Sequence, residues 1–116
     1  MEYYIRKAKI QDVRSIHRLL MDCAKQDMLL PRSFNDLYNH LRDFVVLAPK
    51  NPDPDAPADQ QVFGCCALNI SWEDLAEVRS LAVDEEARKH GWGVKLVEAC
   101  LSEAVTLGLY RVFTLT

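Results

Sequence analysis

The stretch from Glu77 to Leu96 has the sequence EVRSLAVDEEARKHGWGVKL and is the most informative part of the chain. Its first part is apolar and partly β-branched, which predicts a buried strand formed around Val78, Leu81, Ala82 and Val83. After a short polar connection, apolar residues recur at three- and four-residue spacing and predict a helix. These residues are Val94, Val97, Cys100, Leu101 and Ala104. The stretch therefore encodes a strand, a polar turn and the beginning of a helix.

The polar turn has the composition of an anion-binding site. Arg88, Lys89 and His90 are followed at once by Gly91 and Gly93. Glycines at a helix start let the backbone come close to a ligand and direct bare amide N–H groups at it. The helix dipole and the flanking cations add to this effect, so the turn predicts a phosphate or pyrophosphate site. The glycines alone would also fit an ordinary helix start with solvated basic residues.

The glycine spacing excludes two common nucleotide motifs. A dinucleotide fingerprint requires a third glycine where this chain has Leu96, and a P-loop requires Gly-Lys-Ser or Gly-Lys-Thr, which is missing from the sequence. What remains is Arg88-x-x-Gly91-x-Gly93 directly after an apolar strand. This combination resembles the acyl-CoA-binding motif of the GNAT superfamily of N-acetyltransferases.

The resemblance implies acetyl-CoA as the acyl donor. Amides from Lys89 to Val94, with Arg88 beside them, would hold the pyrophosphate, and the end of the strand would contact the pantetheine arm and polarise the thioester. The cofactor-binding residues implied in this way are Leu81, Ala82, Val83, Arg88, Lys89, His90, Gly91, Trp92, Gly93 and Val94.

Composition excludes several other classes of function. The chain has 116 residues, 49% hydrophobic and 27% charged, and a formal net charge of −3, which disfavours nucleic acid and anionic membranes as partners. It has no apolar stretch of membrane-spanning length and no signal-peptide core at its start, so we expect a cytoplasmic protein. The four cysteines and three histidines lack metal-ligand spacing, and we expect no metal site.

The periodicities predict an α/β (α+β) fold with a mixed, mainly antiparallel sheet and helices on both faces. The expected strands are 3–8, 44–48, 62–70, 74–83 and 110–115, and the expected helices are 10–25, 33–42 and 91–107. Pro52, Pro54 and Pro57 make 49–61 a proline-rich mobile loop. Gly64 indicates a bulge or a close approach within its strand, and Gly108 a left-handed helix cap.

GNAT domains normally continue with another helix and two strands, so the resemblance implies that 1–116 is a single, C-terminally incomplete acetyltransferase domain. The missing segment often supplies the tyrosine that protonates the thiolate, and we leave the general acid unassigned. The chain is then either a truncated piece or completed by a partner, for example in a homodimer that covers the last sheet edge.

Two charged residues of the strand, Glu77 and Arg79, are candidates for the acetyl-transfer chemistry. GNAT enzymes often carry their base at the strand position of Glu77, which lies between Ala76 and Val78 and would be partly desolvated; a solvated strand-end glutamate is the alternative. Strict alternation places Glu77, Arg79, Leu81 and Val83 on one face, with Val78, Ser80 and Ala82 on the other. Arg79 could hold a substrate carboxylate or pair with Glu77 or Asp74 as structural support.

A narrower resemblance concerns the acceptor. Leu29-Leu30-Pro31-Arg32-Ser33, Leu41-Arg42-Asp43-Phe44 and Trp72-Glu73-Asp74-Leu75-Ala76-Glu77 are similar to small N-acetylglutamate-synthase-like members, which share a domain with the first enzyme of arginine biosynthesis. The resemblance implies that Arg32 binds a carboxylate of the amino-acid substrate; from the residues alone Arg32 could be a solvated arginine in a turn. Ser33, with Asp36 three residues later, predicts a helix N-cap.

The sequence therefore predicts an amino-acid N-acetyltransferase, with glutamate as the acceptor. The alternatives are a non-catalytic acyl-CoA-binding or regulatory module, an enzyme acting on another amine or a peptide, and a plain interaction domain.

Overall fold

A computed structural model describes residues 1–27 and 32–114 as five strands and three α-helices. The strands are β1 (Tyr3–Lys7), β2 (Phe44–Pro49), β3 (Gly64–Trp72), β4 (Leu75–Val83) and β5 (Arg111–Phe113). The α-helices are α1 (Val13–Asp27), α2 (Phe34–Asn39) and α3 (Trp92–Leu107). Short 3-10 turns are formed by Ile10–Asp12, Leu41–Asp43 and Glu85–Ala87.

All five strands form one sheet in the order β1-β2-β3-β4-β5. The first four strands pair antiparallel, and β5 pairs parallel to β4 after the crossover through α3. Apolar side chains cover both faces of the sheet, so helices pack on each side. The predicted fold class, a mixed and mainly antiparallel sheet between helices, is confirmed.

The sheet separates two apolar cores, and neighbouring residues of a strand enter different cores. Cys65 packs with α1 and α2, whereas Cys66 packs with α3, as strand alternation predicts. Phe44, Ile16 and Leu37 are almost completely buried on the first side. All four cysteines are buried and pack as small hydrophobic residues.

Gly64 is the point where α3 comes closest to the sheet. A Cβ at this position would lie 3.0 Å from Leu47 Cβ and 3.1 Å from Leu96 Cδ1. Only a residue without a side chain lets the helix pack at this depth. Of the two predicted roles of Gly64, the close approach is confirmed.

A β-bulge lies in β4 rather than at Gly64. Ala67 pairs with Arg79 and Cys65 pairs with Ala82, so the one residue of β3 between these pairs, Cys66, is opposite two residues of β4, Ser80 and Leu81. Ser80 is in the left-handed region, with φ 57°. The extra residue reverses the side-chain alternation of the strand.

The bulge overturns the predicted faces of β4. Val78 lies in the core on the α3 side, and Ala82 lies in the core on the α1 side. Before the bulge, Glu77 and Arg79 therefore face α1 and α2; after it, Val83 packs against the α3-side core. The prediction of one common face is wrong for the set Glu77, Arg79, Leu81 and Val83, and likewise for the set Val78, Ser80 and Ala82.

Several predicted boundaries also differ. The helix expected over 33–42 ends at Asn39 and continues as a 3-10 turn, although Ser33 caps it as predicted by accepting from the Asp36 amide at 3.0 Å. The strand expected over 62–70 spans Gly64–Trp72 instead, and only its first part, Gly64 to Leu68, is buried throughout. The last strand is three residues long, and Leu115 lies outside the described residues. Gly108 has φ 84° and ends α3, as predicted.

Candidate functional site

The turn between β4 and α3 is built by two left-handed residues. Asp84 caps the 3-10 turn by accepting from the Glu86 amide at 3.0 Å. Lys89 and Gly91 then adopt φ 68° and 78°, which reverses the chain into the helix. Glycine takes this conformation without the steric cost that a Cβ imposes, so the sequence fits the local geometry at Gly91.

The N-terminus of α3 is open. Gly91 is its N-cap residue and no side chain caps the helix. The first helical hydrogen bond runs from the Lys95 amide to the Gly91 carbonyl at 3.2 Å, so the amides of the three residues between them have no partner within the helix. A Cβ on Gly91 would meet nothing within 4 Å, and one on Gly93 would meet only Val83 Cγ2 at 4.0 Å. An uncapped positive helix end therefore lies beside the end of β4.

The side chains of this turn differ in exposure. Arg88 is half-buried, and its Nε donates to the Val83 carbonyl at 3.0 Å, which ties the turn to the end of β4. Lys89 and His90 are exposed. The Trp92 ring packs edge-on against Tyr3, with Lys95 Nζ 4.6 Å from its centre. Only the backbone amide of Trp92 thus belongs to the open helix end.

One edge of β4 is unpaired beside that helix end. β5 pairs with β4 only at Leu75, Ala76 and Glu77. Beyond Glu77, within residues 1–27 and 32–114, no strand covers this edge. Backbone N–H and C=O groups that point to this side are available to an extended ligand. This unpaired edge of β4 runs from Glu77 towards the N-terminus of α3.

Glu77 lies at the end of the paired region, on the α1/α2 side. Its side chain is 15% exposed, and its Oε1 lies 4.0 Å from Arg79 Nη1; the Arg79 side chain is 40% exposed. Across the strand pair, Glu77 is opposite Asn69, whose Nδ2 donates to Asp43 Oδ2 at 3.5 Å. The side chain of Glu77 is therefore mostly buried, and Arg79 lies at the outer limit of ion-pair distance from it.

Arg32 lies against the same part of the sheet and is not solvated. Its side chain is 9% exposed, its Nε pairs with Asp36 Oδ2, and its Nη1 donates to Ser80 Oγ at 3.0 Å. Its guanidinium carbon lies 5.2 Å from the centre of the Phe44 ring. The alternative of a solvated arginine in a turn is wrong, because helix α2 and the bulge of β4 enclose the side chain. The segment Met28 to Pro31 lies outside the described residues.

Two residues that contact Arg32, namely Ser80 and Asp36, were not identified from the sequence. Ser80 reaches Arg32 only because of the bulge, for which the sequence offers one signal, the three consecutive apolar residues Leu81, Ala82 and Val83 that break strict alternation. Asp36 was assigned to the helix start, yet its carboxylate contacts Arg32 and, at 2.9 Å, His40 Nδ1. Arg32 precedes the N-cap Ser33, so the i,i+4 rule for helix pairs does not apply and the sequence offers only the closeness of the two residues in the chain.

The other features of the structure that could form a site do not include the predicted site residues. A cavity of about 250 Å³ is lined by Arg14, His17, Arg18, Phe34, Ala58 and Asp59, and no predicted site residue is among them. Among residues 1–27 and 32–114, no group of three or more His, Cys, Asp or Glu side chains could hold a metal ion. None of the helices in the described part of the chain combines the length and apolarity needed to span a membrane.

Comparison with known protein families identifies the family of this chain. Residues 12–116 match the acetyltransferase (GNAT) family. The chain belongs to the GNAT acetyltransferase family. An amino-acid acetyltransferase of Mycobacterium tuberculosis is 37% identical over 112 residues, which cover 97% of this chain and 60% of that protein.

Two solved structures are similar to this GNAT chain in both fold and sequence. One is a Mycobacterium tuberculosis protein in complex with CoA and a second ligand, with a TM-score of 0.82 and 36% identity over 97% of this chain and 64% of that one. The other is the N-acetylglutamate synthase of Neisseria gonorrhoeae complexed with coenzyme A and N-acetyl-glutamate, with a TM-score of 0.83 and 30% identity over 100% of this chain and 26% of that one. The chain spans less than two thirds of the length of each of these relatives.

Proposed function

We propose that this chain carries the acetyl-transfer site of an N-acetyltransferase that moves the acetyl group of acetyl-CoA to the α-amine of glutamate. The observation that carries the proposal is the open edge of β4, which leads from the mostly buried side chain of Glu77 to the uncapped N-terminus of α3. An amine, a thioester and a diphosphate can be placed along that line in the order in which an acetyl-CoA-dependent reaction needs them.

The cofactor site is assigned to the backbone. Amides from Lys89 to Val94 hold the diphosphate at the helix N-terminus, where dipole and N–H groups favour negative charge. Arg88 adds positive charge next to the turn while its Nε holds the Val83 carbonyl. The edge formed by Leu81, Ala82 and Val83 binds the pantetheine arm by strand-like hydrogen bonds.

Glu77 is proposed as the general base. It takes a proton from the substrate ammonium, directly or through a water molecule, and the freed nitrogen then attacks the thioester carbonyl. Backbone N–H groups of the open β4 edge stabilise the negative charge that develops on the carbonyl oxygen. The C–S bond breaks, the acetyl group stays on nitrogen and the sulfur leaves as CoA thiol. No residue of the described chain is assigned as the acid that protonates the sulfur.

Two arginines support an acceptor with two carboxylates. Arg32 and Arg79 both lie on the Glu77 side of β4, one enclosed and one partly exposed. A guanidinium binds a carboxylate through paired N–H donors, which gives orientation as well as affinity. The names of the relatives, an amino-acid acetyltransferase and an N-acetylglutamate synthase, support the same acceptor. On this basis we also propose a place in arginine biosynthesis.

A thiol-release assay tests the proposal. The full-length protein is mixed with acetyl-CoA and each amino acid in turn, and free CoA thiol is measured over time. We expect thiol release with glutamate and little with lysine, polyamines or peptide N-termini. Release with another amine overturns the acceptor assignment, and CoA binding without turnover on any amine overturns the enzymatic assignment in favour of a non-catalytic CoA-binding module.

A further inference from the structure

The guanidinium of Arg32 is held on two of its three nitrogens. Nε pairs with Asp36 Oδ2 from the next turn of chain, and Nη1 donates to Ser80 Oγ at 3.0 Å from β4. The Phe44 ring lies beneath it, 5.2 Å from the guanidinium carbon. Since the guanidinium is planar and rigid, these contacts fix its orientation and its depth.

The N–H donors of Arg32 that remain available lie on one side of its guanidinium group. Arginine has five N–H donors, of which Asp36 and Ser80 use one on Nε and one on Nη1. Nη2 has no hydrogen bond to any described residue, and the second N–H of Nη1 lies next to it. A carboxylate that meets Arg32 is thus received by the two Nη groups in a single orientation.

Ser80 reaches Arg32 through an unfavourable backbone conformation. Strict alternation would turn its side chain to the α3 side of the sheet, and the bulge with φ 57° brings the hydroxyl to the α1/α2 side instead. A residue with a Cβ adopts this conformation at a cost in free energy, and such outliers cluster at functional sites. The bulge therefore delivers a hydrogen-bond acceptor to Arg32.

Asp36 provides the charge that balances Arg32. His40 Nδ1 lies 2.9 Å from the other oxygen of the carboxylate, so both of its oxygens are engaged. Arg79 also lies on this side of β4, and its positive charge is a further cause of the lowered pKa of Asp36. A buried guanidinium without this partner would be costly to keep in place.

We infer that Asp36 and Ser80 are positioning residues that aim Arg32 at the substrate carboxylate. The inference rests on the proposed function, in which Arg32 binds that carboxylate. Neither residue touches the reacting atoms in this account. Both act through Arg32, which predicts an effect on the KM for the amino acid and none on the acetyl-CoA side.

The test compares Asp36→Asn, Asp36→Ala and Ser80→Ala with Asp22→Asn. Asp22 is a matched control because it also pairs with an arginine four residues away, Arg18, at 3.5 Å, and is half exposed. We expect Asp36→Ala and Ser80→Ala to raise the KM for the amino acid about tenfold, the effect of one lost charge-assisted hydrogen bond, with Asp36→Asn in between. The kcat and the KM for acetyl-CoA should change less than about twofold.

A double-mutant cycle separates positioning from general support of the fold. In the Arg32→Ala background, Asp36→Ala should have no further effect on the KM for the amino acid, because its route of action is gone. Equal effects in both backgrounds, or an unchanged KM in the single variants, overturn the inference. A variant that is partly unfolded has a lower melting temperature and lower rates with every substrate. A variant that only displaces the Arg32 guanidinium stays fully folded and changes the KM for the amino acid alone.

A measurement without turnover tests the inference even if the proposed function fails. Hydrogen exchange of the Arg32 Nε–H, followed by nitrogen-15 NMR, should be slow in the wild type and faster in Asp36→Ala. Arg18, whose Nε donates to the Asp59 carbonyl, serves as the internal reference. Equal exchange of Arg32 in both proteins contradicts a fixed guanidinium. Absence of thiol release with intact protection contradicts only the proposed function.

Discussion

Glu77 and Arg79 lie two residues apart on β4, on the same side of the sheet, with Oε1 and Nη1 separated by 4.0 Å. At this distance the pair is weak, and the exposed arginine is easily drawn away by another carboxylate. We propose that a substrate with both an ammonium and a carboxylate replaces the pair, with the ammonium next to Glu77 and the carboxylate next to Arg79.

This relationship leads to the first prediction. Glu77→Gln should lower kcat about 100-fold or more, because the amide keeps the shape but cannot take the proton. The affinity for acetyl-CoA, measured by calorimetry, should stay the same. Glu73→Gln, in the exposed β3–β4 turn, is the matched control. An unchanged kcat in Glu77→Gln would exclude Glu77 as the base.

A second prediction concerns the contact between α3 and the sheet. Gly64→Ala should destabilise the protein by about 1–3 kcal/mol, since the new Cβ would lie 3.0 Å from Leu47 Cβ and 3.1 Å from Leu96 Cδ1. Combining it with Leu96→Val, which removes Cδ1, should cost less than the sum of the single changes. Urea denaturation measures all four proteins, and strict additivity would show that the helix does not press on Gly64.

A third prediction concerns the buried ion pair between β1 and the start of α1. Asp12 is fully buried and accepts from Arg6 at 2.7 and 3.1 Å and from the Lys9 amide at 2.7 Å. Arg6→Ala leaves that carboxylate without its counter-charge and should cost about 3–5 kcal/mol in the free energy of unfolding. Glu2→Gln, which breaks an exposed pair with Lys50 at 3.9 Å, should cost less than about 1 kcal/mol. Similar losses in both variants would contradict the structure.

The fourth prediction is a pH dependence. The hydrogen bond from Arg32 holds the pKa of the Asp36 carboxyl below its ordinary value of 3.8, so the folded state binds this proton less readily than the unfolded state. The stabilisation by Asp36 is then fully present above that ordinary value and is lost as the pH falls through the lowered one. The melting temperature of Asp36→Asn should lie below that of the wild type at neutral pH, and the gap should close in acid. A gap that does not vary with pH would show that the carboxylate charge contributes nothing.

The order of elements could be predicted from the sequence, because apolar periodicity reports directly which residues face a core. The helix start at Gly91 and the end at Gly108 were also predictable, whereas the left-handed conformation was predicted only for Gly108 and is found at both. The close approach at Gly64 was one of two alternatives, and the contact with Leu96 decides between them.

The arrangement of the residues around Arg32 and Ser80 could not be predicted in the same way. The bulge at Ser80 depends on pairing between β3 and β4, and a shift of one residue exchanges the faces of everything beyond it. The enclosure of Arg32 depends on Phe44 and Ser80, which are 12 and 48 residues away in the chain. Local patterns carry no information about such distant partners.

Isothermal titration calorimetry of acetyl-CoA with the folded 116-residue chain tests whether the cofactor binds at the start of α3. Gly91→Ala and Gly108→Ala form a matched pair, because both glycines are left-handed, lie at opposite ends of α3 and have open space where a Cβ would be. We predict one-to-one binding to the wild type, unchanged binding to Gly108→Ala, and binding about tenfold weaker to Gly91→Ala, whose amides no longer converge on the diphosphate. No binding to the wild type, or equal affinities of the two variants, would contradict a cofactor site at the start of α3.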